Sequence, residues 1–414
     1  MRKLTAVLLL FIGFVLVGGL LYRLPPVYDR LSWRIDFAMA YLRGVIDPVD
    51  SIPTALPHAQ VIVTSQPTNT PMPTSLPTAA PTEVFTPTPV PSPTPVPQAI
   101  SLPSPEYEKQ DINNCGPASL TMYLRYYGWE GVQDDIAGVL KPNVKDRNVN
   151  VEELAYFVRT RAGWLNIEYR VGGDLEMLKQ FLAAGIPVLI EESFELDQTY
   201  WRDDDQWAAH YFLVTGYDET TQTFTGQDSF HGPDQVVDYE KLDEFWQSFN
   251  RLFILLYLPN QADLVASILG QQIDVDYNRQ YALDIAIAET ESDPQNAYAW
   301  FNLGSNLAYF ERYIEATDAY DKARELGLPQ RMLRYQFGPF IAYFHSGQID
   351  ELVALTEYAL KITPNSEEAL LWHGWAMYRQ GNVNKALEDF GRALEENPNY
   401  LDAQYALDFV RSNQ

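Results

Sequence analysis

One residue dominates the chemistry open to this chain of 414 residues, because Cys115 is its sole cysteine. A lone thiol cannot close an intrachain disulfide or build a zinc site from several thiolates, so it is either a small buried apolar group or a nucleophile. Its surroundings favour the nucleophile. Cys115-Gly116-Pro117-Ala118-Ser119-Leu120 precedes Tyr123, Leu124 and Tyr127 at helical spacing, with Gly128 as a stop. Proline suits a first helical turn, which puts Cys115 at the head of a helix, where the dipole and free N–H groups favour a thiolate. The chemistry is attack of sulfur on a carbonyl, helped by an imidazole. Of the histidines at 58, 210, 231, 345 and 373, His210 opens the apolar run His210–Tyr217, a strand pattern. Asp228 falls on the next short strand pattern, across a turn at Tyr217–Thr220, and can orient the imidazole from its other nitrogen. Asp218 and the stretch His231-Gly232-Pro233-Asp234 compete with it. Gln110, five residues before the cysteine, offers an amide donor to an oxyanion beside the N–H of Cys115. No histidine has metal-ligand spacing such as HExxH, and the pattern calls for no metal and no cofactor.

These side chains need a mixed framework. Helix patterns at Asn150–Arg161 and Asp174–Ala184 are followed by strand patterns at Gly185–Ile190, His210–Tyr217, Thr223–Asp228, Val236–Tyr239 and Leu252–Leu258. Helices first and strands later make residues 104–259 an α+β unit, not an alternating parallel one. Asp203-Asp204-Asp205, between Trp201 and Trp207, lacks the glycine and distant glutamate of an EF-hand loop and reads as a solvated acidic loop.

Three stretches together carry a family resemblance: Gln110-Asp111-Ile112-Asn113-Asn114-Cys115-Gly116-Pro117-Ala118-Ser119-Leu120, then Ala209–Asp218, then Gly226-Gln227-Asp228. In this order they resemble the papain-like cysteine peptidases of the bacteriocin-processing (double-glycine peptidase-like) type, over about 150 residues. The resemblance implies Cys115 as nucleophile, His210 as general base, Asp228 as orienting acid and Gln110 as oxyanion-hole donor. In papain-like enzymes the glutamine usually lies six residues before the cysteine, and here it lies five before. No transporter portion accompanies the motifs, so the double-glycine leader substrate is not carried over.

The C-terminal third repeats. With a period of 34 residues, Gly347 matches Gly381, Ala359 matches Ala393 and Pro364 matches Pro398. Small residues where two antiparallel helices cross, large ones beside them and a closing proline resemble the tetratricopeptide repeat. About three copies cover Pro294 to Pro398, the middle one degenerate in its first helix, with helices Asn278–Ala288 and Asn399–Val410 as caps. Residues 260–414 thus read as an all-α solenoid that holds a peptide or protein. His345 and His373 fall in its packing pattern and read as structural.

The N-terminal hundred residues address and space the rest. Leu4–Leu21 is a run of 18 uncharged residues after Met1-Arg2-Lys3, about 27 Å long as a helix and enough for a single transmembrane span. An uncleaved signal anchor within residues 1–50 is favoured over a cleaved signal peptide, because the run is long and Tyr22-Arg23-Leu24-Pro25-Pro26 follows it. Thirteen of the 28 prolines lie between Ser51 and Ile100, so residues 51–103 read as a disordered Pro/Thr-rich linker, in polyproline II at about 3.1 Å per residue. Arginine and lysine flank the span almost equally, and only the association of such stalks with cell exteriors puts the bulk of the chain on the extracytoplasmic side. The net charge of −26 leaves no basic face for nucleic acid. The whole reads as a membrane-anchored cysteine peptidase acting on a peptide or protein, with the repeats for a protein partner. Alternatives are an inactive papain-like scaffold and a papain-fold acyl transferase.

Overall fold

The computed structural model describes residues 96–413 except 144, residues 51–56, and isolated positions between 13 and 49. The expected span Leu4–Leu21 lies outside the described residues, apart from Gly13. Among the described residues no helix is long and apolar enough to cross a membrane.

A seven-stranded antiparallel sheet organises the first unit. Its strands are β1 (Ala99–Ser101), β2 (Asn166–Arg170), β3 (Val188–Glu195), β4 (Trp207–Asp218), β5 (Thr223–Asp228), β6 (Gly232–Asp238) and β7 (Phe253–Tyr257), in the order β2-β7-β3-β4-β5-β6. β1 pairs with the far end of β4, where β3 has run out. Successive strand residues face opposite sides, and both sides are covered. Leu189, Tyr211, Leu213, Ile254 and Leu256 meet helix α1 (Cys115–Tyr126) through Leu120 and Tyr123. Ile190, Phe212, Val214, Phe253 and Leu255 meet α4 (Leu175–Ala183) and α5 (Tyr239–Gln247) on the other side. Burial on both faces explains why these strands read as continuous apolar runs and not as alternating ones. Helices α2 (Gln133–Leu140) and α3 (Val151–Arg161) complete the α1 side. Asn150 starts α3 with a reciprocal capping box to Glu153, and Asp174 caps α4 by accepting from the N–H of Met177 at 2.7 Å. Strand β2 and helices α2 and α5 were not expected; β2 is an edge strand with a mostly polar sequence, which hides it from an apolar pattern.

The repeat region comprises α7 (Val275–Ser292), α8 (Ala297–Tyr309), α9 (Tyr313–Leu326), α10 (Gly338–Ser346), α11 (Ile349–Ile362), α12 (Glu367–Arg379), α13 (Val383–Glu396) and α14 (Leu401–Ser412). Small residues sit where helices cross: a Cβ on Gly374 would lie 2.5 Å from the Phe390 ring, and one on Gly304 would lie 2.8 Å from that of Tyr320. The degenerate middle copy has a short first helix, α10, preceded by a 3-10 turn at Met332–Arg334. His345 stacks on Tyr313 with ring centroids 4.6 Å apart, and buried His373 bonds Asp389 through Nδ1 at 2.7 Å.

Three expectations about the connections are corrected. The stretch 51–103 is not wholly a free linker, since Ala99–Ser101 is sheet strand β1 and residues 51–56 lie against the repeats with Ile52 buried in their core. Proline blocks helix and ladder there, but an extended chain still offers alternate side chains and main-chain groups to a neighbour. Helix α6 (Ala262–Leu269), within the span assigned to the repeats, places Val265 and Leu269 in the core beside the sheet. The loop Asp203–Asp205 is solvated at Asp203 and Asp205 but not at its middle residue. Asp204 is buried and takes a bidentate pair from Arg331 at 2.5 and 2.6 Å, while the guanidinium covers the Trp201 ring at 4.1 Å. Arg251–Glu289 at 2.7 Å and Asn250–Asn306 at 2.9 Å extend the same contact between sheet unit and repeats.

Candidate active site

Helix α1 begins at Cys115, after Asn113 in the left-handed region at φ 58°. Two groups hold that turn. Buried Lys141 donates from Nζ to the Asn113 carbonyl at 2.6 Å, and Gln133 Oε1 accepts from Asn114 Nδ2 at 2.6 Å and from the Asp111 N–H at 2.9 Å. Burial lowers the Lys141 pKa, although the carboxylates around it oppose the shift. Gly116 lets the helix head approach β4: a Cβ there would stand 3.4 Å from the Tyr211 ring and 3.3 Å from Val149 Cβ. Ser119 Oγ then donates to the Tyr211 carbonyl at 3.1 Å, fixing the first turn against the strand.

His210 is the fourth residue of β4, three further along than the apolar run suggested, because Trp207–Ala209 is already paired with β3. Asp228 ends β5, opposite Phe212 beyond a register shift, and this brings its carboxylate to the histidine. His210 Nε2 donates to Asp228 Oδ1 at 2.9 Å, in a site where the imidazole is almost wholly buried. The same Oδ1 accepts from the N–H groups of Phe230 at 2.7 Å and His231 at 2.9 Å, and Oδ2 accepts from His231 Nδ1 at 2.8 Å. Four donors on one carboxylate outweigh the burial that would raise its pKa and hold it well below the usual carboxylate range. Burial opposes charge on His210 too, but the hydrogen bond to Asp228 and the interaction with nearby Cys115 raise its pKa to about 10. Since Nε2 is taken, Nδ1 is the nitrogen left for sulfur. It has no hydrogen-bond partner among the described residues.

Gln110 joins the same cluster through Ser229, the residue after Asp228. Its N–H donates to the Ser229 carbonyl at 2.9 Å and its Oε1 accepts from Ser229 Oγ at 2.8 Å. With the carboxamide oxygen occupied, the two N–H donors are what Gln110 has to offer another acceptor. The competing acids do not reach His210. Asp218 lies at the far end of β4 opposite Ala99 and Thr223, and Asp234 accepts from Ser104 Oγ and Gln227 Nε2.

Several groups around the site were not foreseen. Glu192 stands opposite His210 on β3, is buried, and has its pKa pushed up by burial to about 8, with Oε2 lacking a partner among the described residues. Burial also carries the neighbouring Glu191 well above the carboxylate range. Two acids ending an apolar strand run were the available sign. Phe194 lies 4.8 Å from the His210 ring and 5.6 Å from Phe230, giving the imidazole an apolar wall. Among the described residues no cluster of His, Cys, Asp and Glu is arranged to hold a metal ion.

Residues 101–253 match the Peptidase_C39 like family, and residues 368–400 match the tetratricopeptide repeat. Among solved structures, a C39-like peptidase from Bacillus anthracis is 18% identical, with a TM-score of 0.32, over 39% of this chain and 98% of its own. The peptidase domain of Streptococcus ComA, a bifunctional ABC transporter of a quorum-sensing pathway, is 14% identical, with a TM-score of 0.29, over 37% of this chain and 96% of its own. YrrB, a TPR protein with an unusual peptide-binding site, is 22% identical, with a TM-score of 0.30, over 37% of this chain and 74% of its own. No curated protein matches the chain. The chain therefore joins a peptidase C39-like domain to tetratricopeptide repeats.

Proposed function

We propose that the protein is a cysteine peptidase that hydrolyses a peptide bond through a thioester, with the repeats holding a peptide or protein. The single observation that supports this most is His210, bonded to Asp228 by one nitrogen and left with the other free beside Cys115. In this reading the thiol proton already rests on His210 as a thiolate–imidazolium pair, and the Cys115 sulfur attacks the scissile carbonyl. Its oxyanion is met by the N–H of Cys115 and the amide of Gln110. The imidazolium returns the proton to the departing amine. Water, deprotonated by the same imidazole, then releases the acid and restores the pair. Asp228 keeps the ring oriented and stabilises its charge throughout.

We place the enzyme on the outer side of a membrane, anchored by the apolar run Leu4–Leu21. No nucleic acid partner is proposed, given the acidic chain. The test is incubation of the purified full-length chain and its Cys115→Ala variant with a peptide library, products read by mass spectrometry. Cleavage by the wild type alone supports a peptidase. Cleavage by neither, with Cys115 inert to alkylation, would turn the reading into a scaffold. Because an amine can resolve the same thioester, incorporation of an added amine into the product would identify an acyl transferase.

A further inference from the structure

Residues 51–56 occupy a specific seat on the repeats. Ile52 is buried at 3% exposure, Pro53 and Ala55 are half-buried, and Ser51, Thr54 and Leu56 are exposed. Ile52 lies in the apolar core of the repeats, with Val49 packed at its edge. The main chain is held as well. Arg324 Nε donates to the Pro53 carbonyl at 2.7 Å, and Glu351 Oε1 accepts from the Leu56 N–H. Those two side chains form a buried pair, Nη1 to Oε2 at 2.9 Å, and Arg324 Nη1 also reaches Tyr343 and Asp321. Once paired, each still has polar capacity to satisfy out of water, and the segment supplies both a carbonyl and an N–H.

We propose that the repeats bind this chain's own segment Ser51–Leu56 as an intramolecular clasp. The N-terminal part of the chain is then fastened to the repeats, and the Pro/Thr-rich stretch becomes a loop held at both ends, by the seat at Leu56 and by strand β1 at Ala99. It does not act as the spacer between the N-terminus and the folded body. Recognition reads one β-branched side chain and two main-chain groups, which suits an extended segment next to proline.

The test inserts a site for a sequence-specific protease between Thr74 and Ser75 of the full-length chain, cleaves it, and follows the N-terminal fragment by size exclusion. The fragment is expected to stay with the body in the wild type and to be lost from Ile52→Asp, with retention weakened at least about tenfold. Leu56→Pro, which removes the N–H given to Glu351 and leaves Ile52 in place, is expected to weaken retention to a smaller extent. Both changes lie outside the repeat helices, and an unchanged melting curve of the body verifies that it stays folded. A synthetic peptide of residues 48–58 is expected to displace the wild-type fragment. Loss of the wild-type fragment on cleavage overturns the clasp, and equal retention of wild type and Ile52→Asp overturns it too, because the fragment would then be held elsewhere.

Discussion

Asp228→Asn isolates the charge on which the candidate site depends. An asparagine oxygen in place of Oδ1 can still accept from His210 Nε2 and from the N–H groups of Phe230 and His231, so the geometry is preserved. What disappears is a negative charge 2.9 Å from a buried imidazole. In the native protein that ring is raised from 6.5 to about 10 against the pull of burial. At about 1.4 kcal/mol per factor of ten, the imidazolium is favoured by several kcal/mol. An adjacent opposite charge accounts for roughly one to three powers of ten, so the His210 midpoint is expected to fall by about one to three pH units in the variant. Histidine ring NMR from pH 5 to 11, with His210 assigned by a His210→Gln variant, measures this directly. Alkylation of Cys115 by iodoacetamide at pH 7 is expected to slow, since a less basic ring supports the thiolate less well. Stability follows the same linkage. A raised His210 stabilises the fold in full below its unfolded value of about 6.5, and that contribution is lost as pH climbs towards about 10. The depressed Asp228 contributes above about 4 and is lost as pH falls through its folded value. The melting temperature of the wild type is thus expected to decline between pH 7 and 10 more steeply than that of Asp228→Asn. If His210 titrates at the same pH in both proteins, the electrostatic account of the site is wrong.

Four further outcomes are expected. Gln110→Ala should lower kcat by about 10²-fold with little change in KM, if its amide serves the oxyanion; a change confined to KM would assign it to substrate binding. His231→Phe removes one of the four donors on Asp228 but not its charge, so the midpoint of His210 should stay close to the wild-type value, in contrast to Asp228→Asn, again read by ring NMR. Asp204→Ala leaves Arg331 buried without its bidentate partner and should destabilise the protein by about 3–5 kcal/mol in urea unfolding; a loss below about 1 kcal/mol would mean the pair is solvated. Gly374→Ala forces a Cβ into the Phe390 ring and should destabilise the repeats by about 1–3 kcal/mol, whereas Gly391→Ala, with open space around it, should not.

Some of the architecture was written locally. The Gly-Pro pair after Cys115 announced a helix head, and the helix starts at that residue. The pattern Thr223–Asp228 is strand β5 residue for residue, and the 34-residue period set out the paired helices of the repeats. Such features depend on neighbours within a turn or on one strand face, so a linear reading reaches them. Where Asp228 would lie relative to His210 required the β4–β5 register with its bulge, and three acids competed until that register selected one. The acidic loop at Asp203–Asp205 looked solvated because its cation, Arg331, comes 127 positions later. Ile52 sat in a stretch too rich in proline for regular structure, and the side chains that hold its neighbours, Arg324 at the Pro53 carbonyl and Glu351 at the Leu56 N–H, lie 271 and 295 residues further on. The protonation of Glu192 and the charge of His210 are likewise invisible in the chain, because both follow from how much water is excluded and which charge stands opposite. Residue order determined the helix starts, the strand runs, the repeat and the candidate chemical groups. Tertiary packing alone decided which of those groups meet and in what state of charge, since desolvation and Coulomb interactions act across space and not along the sequence.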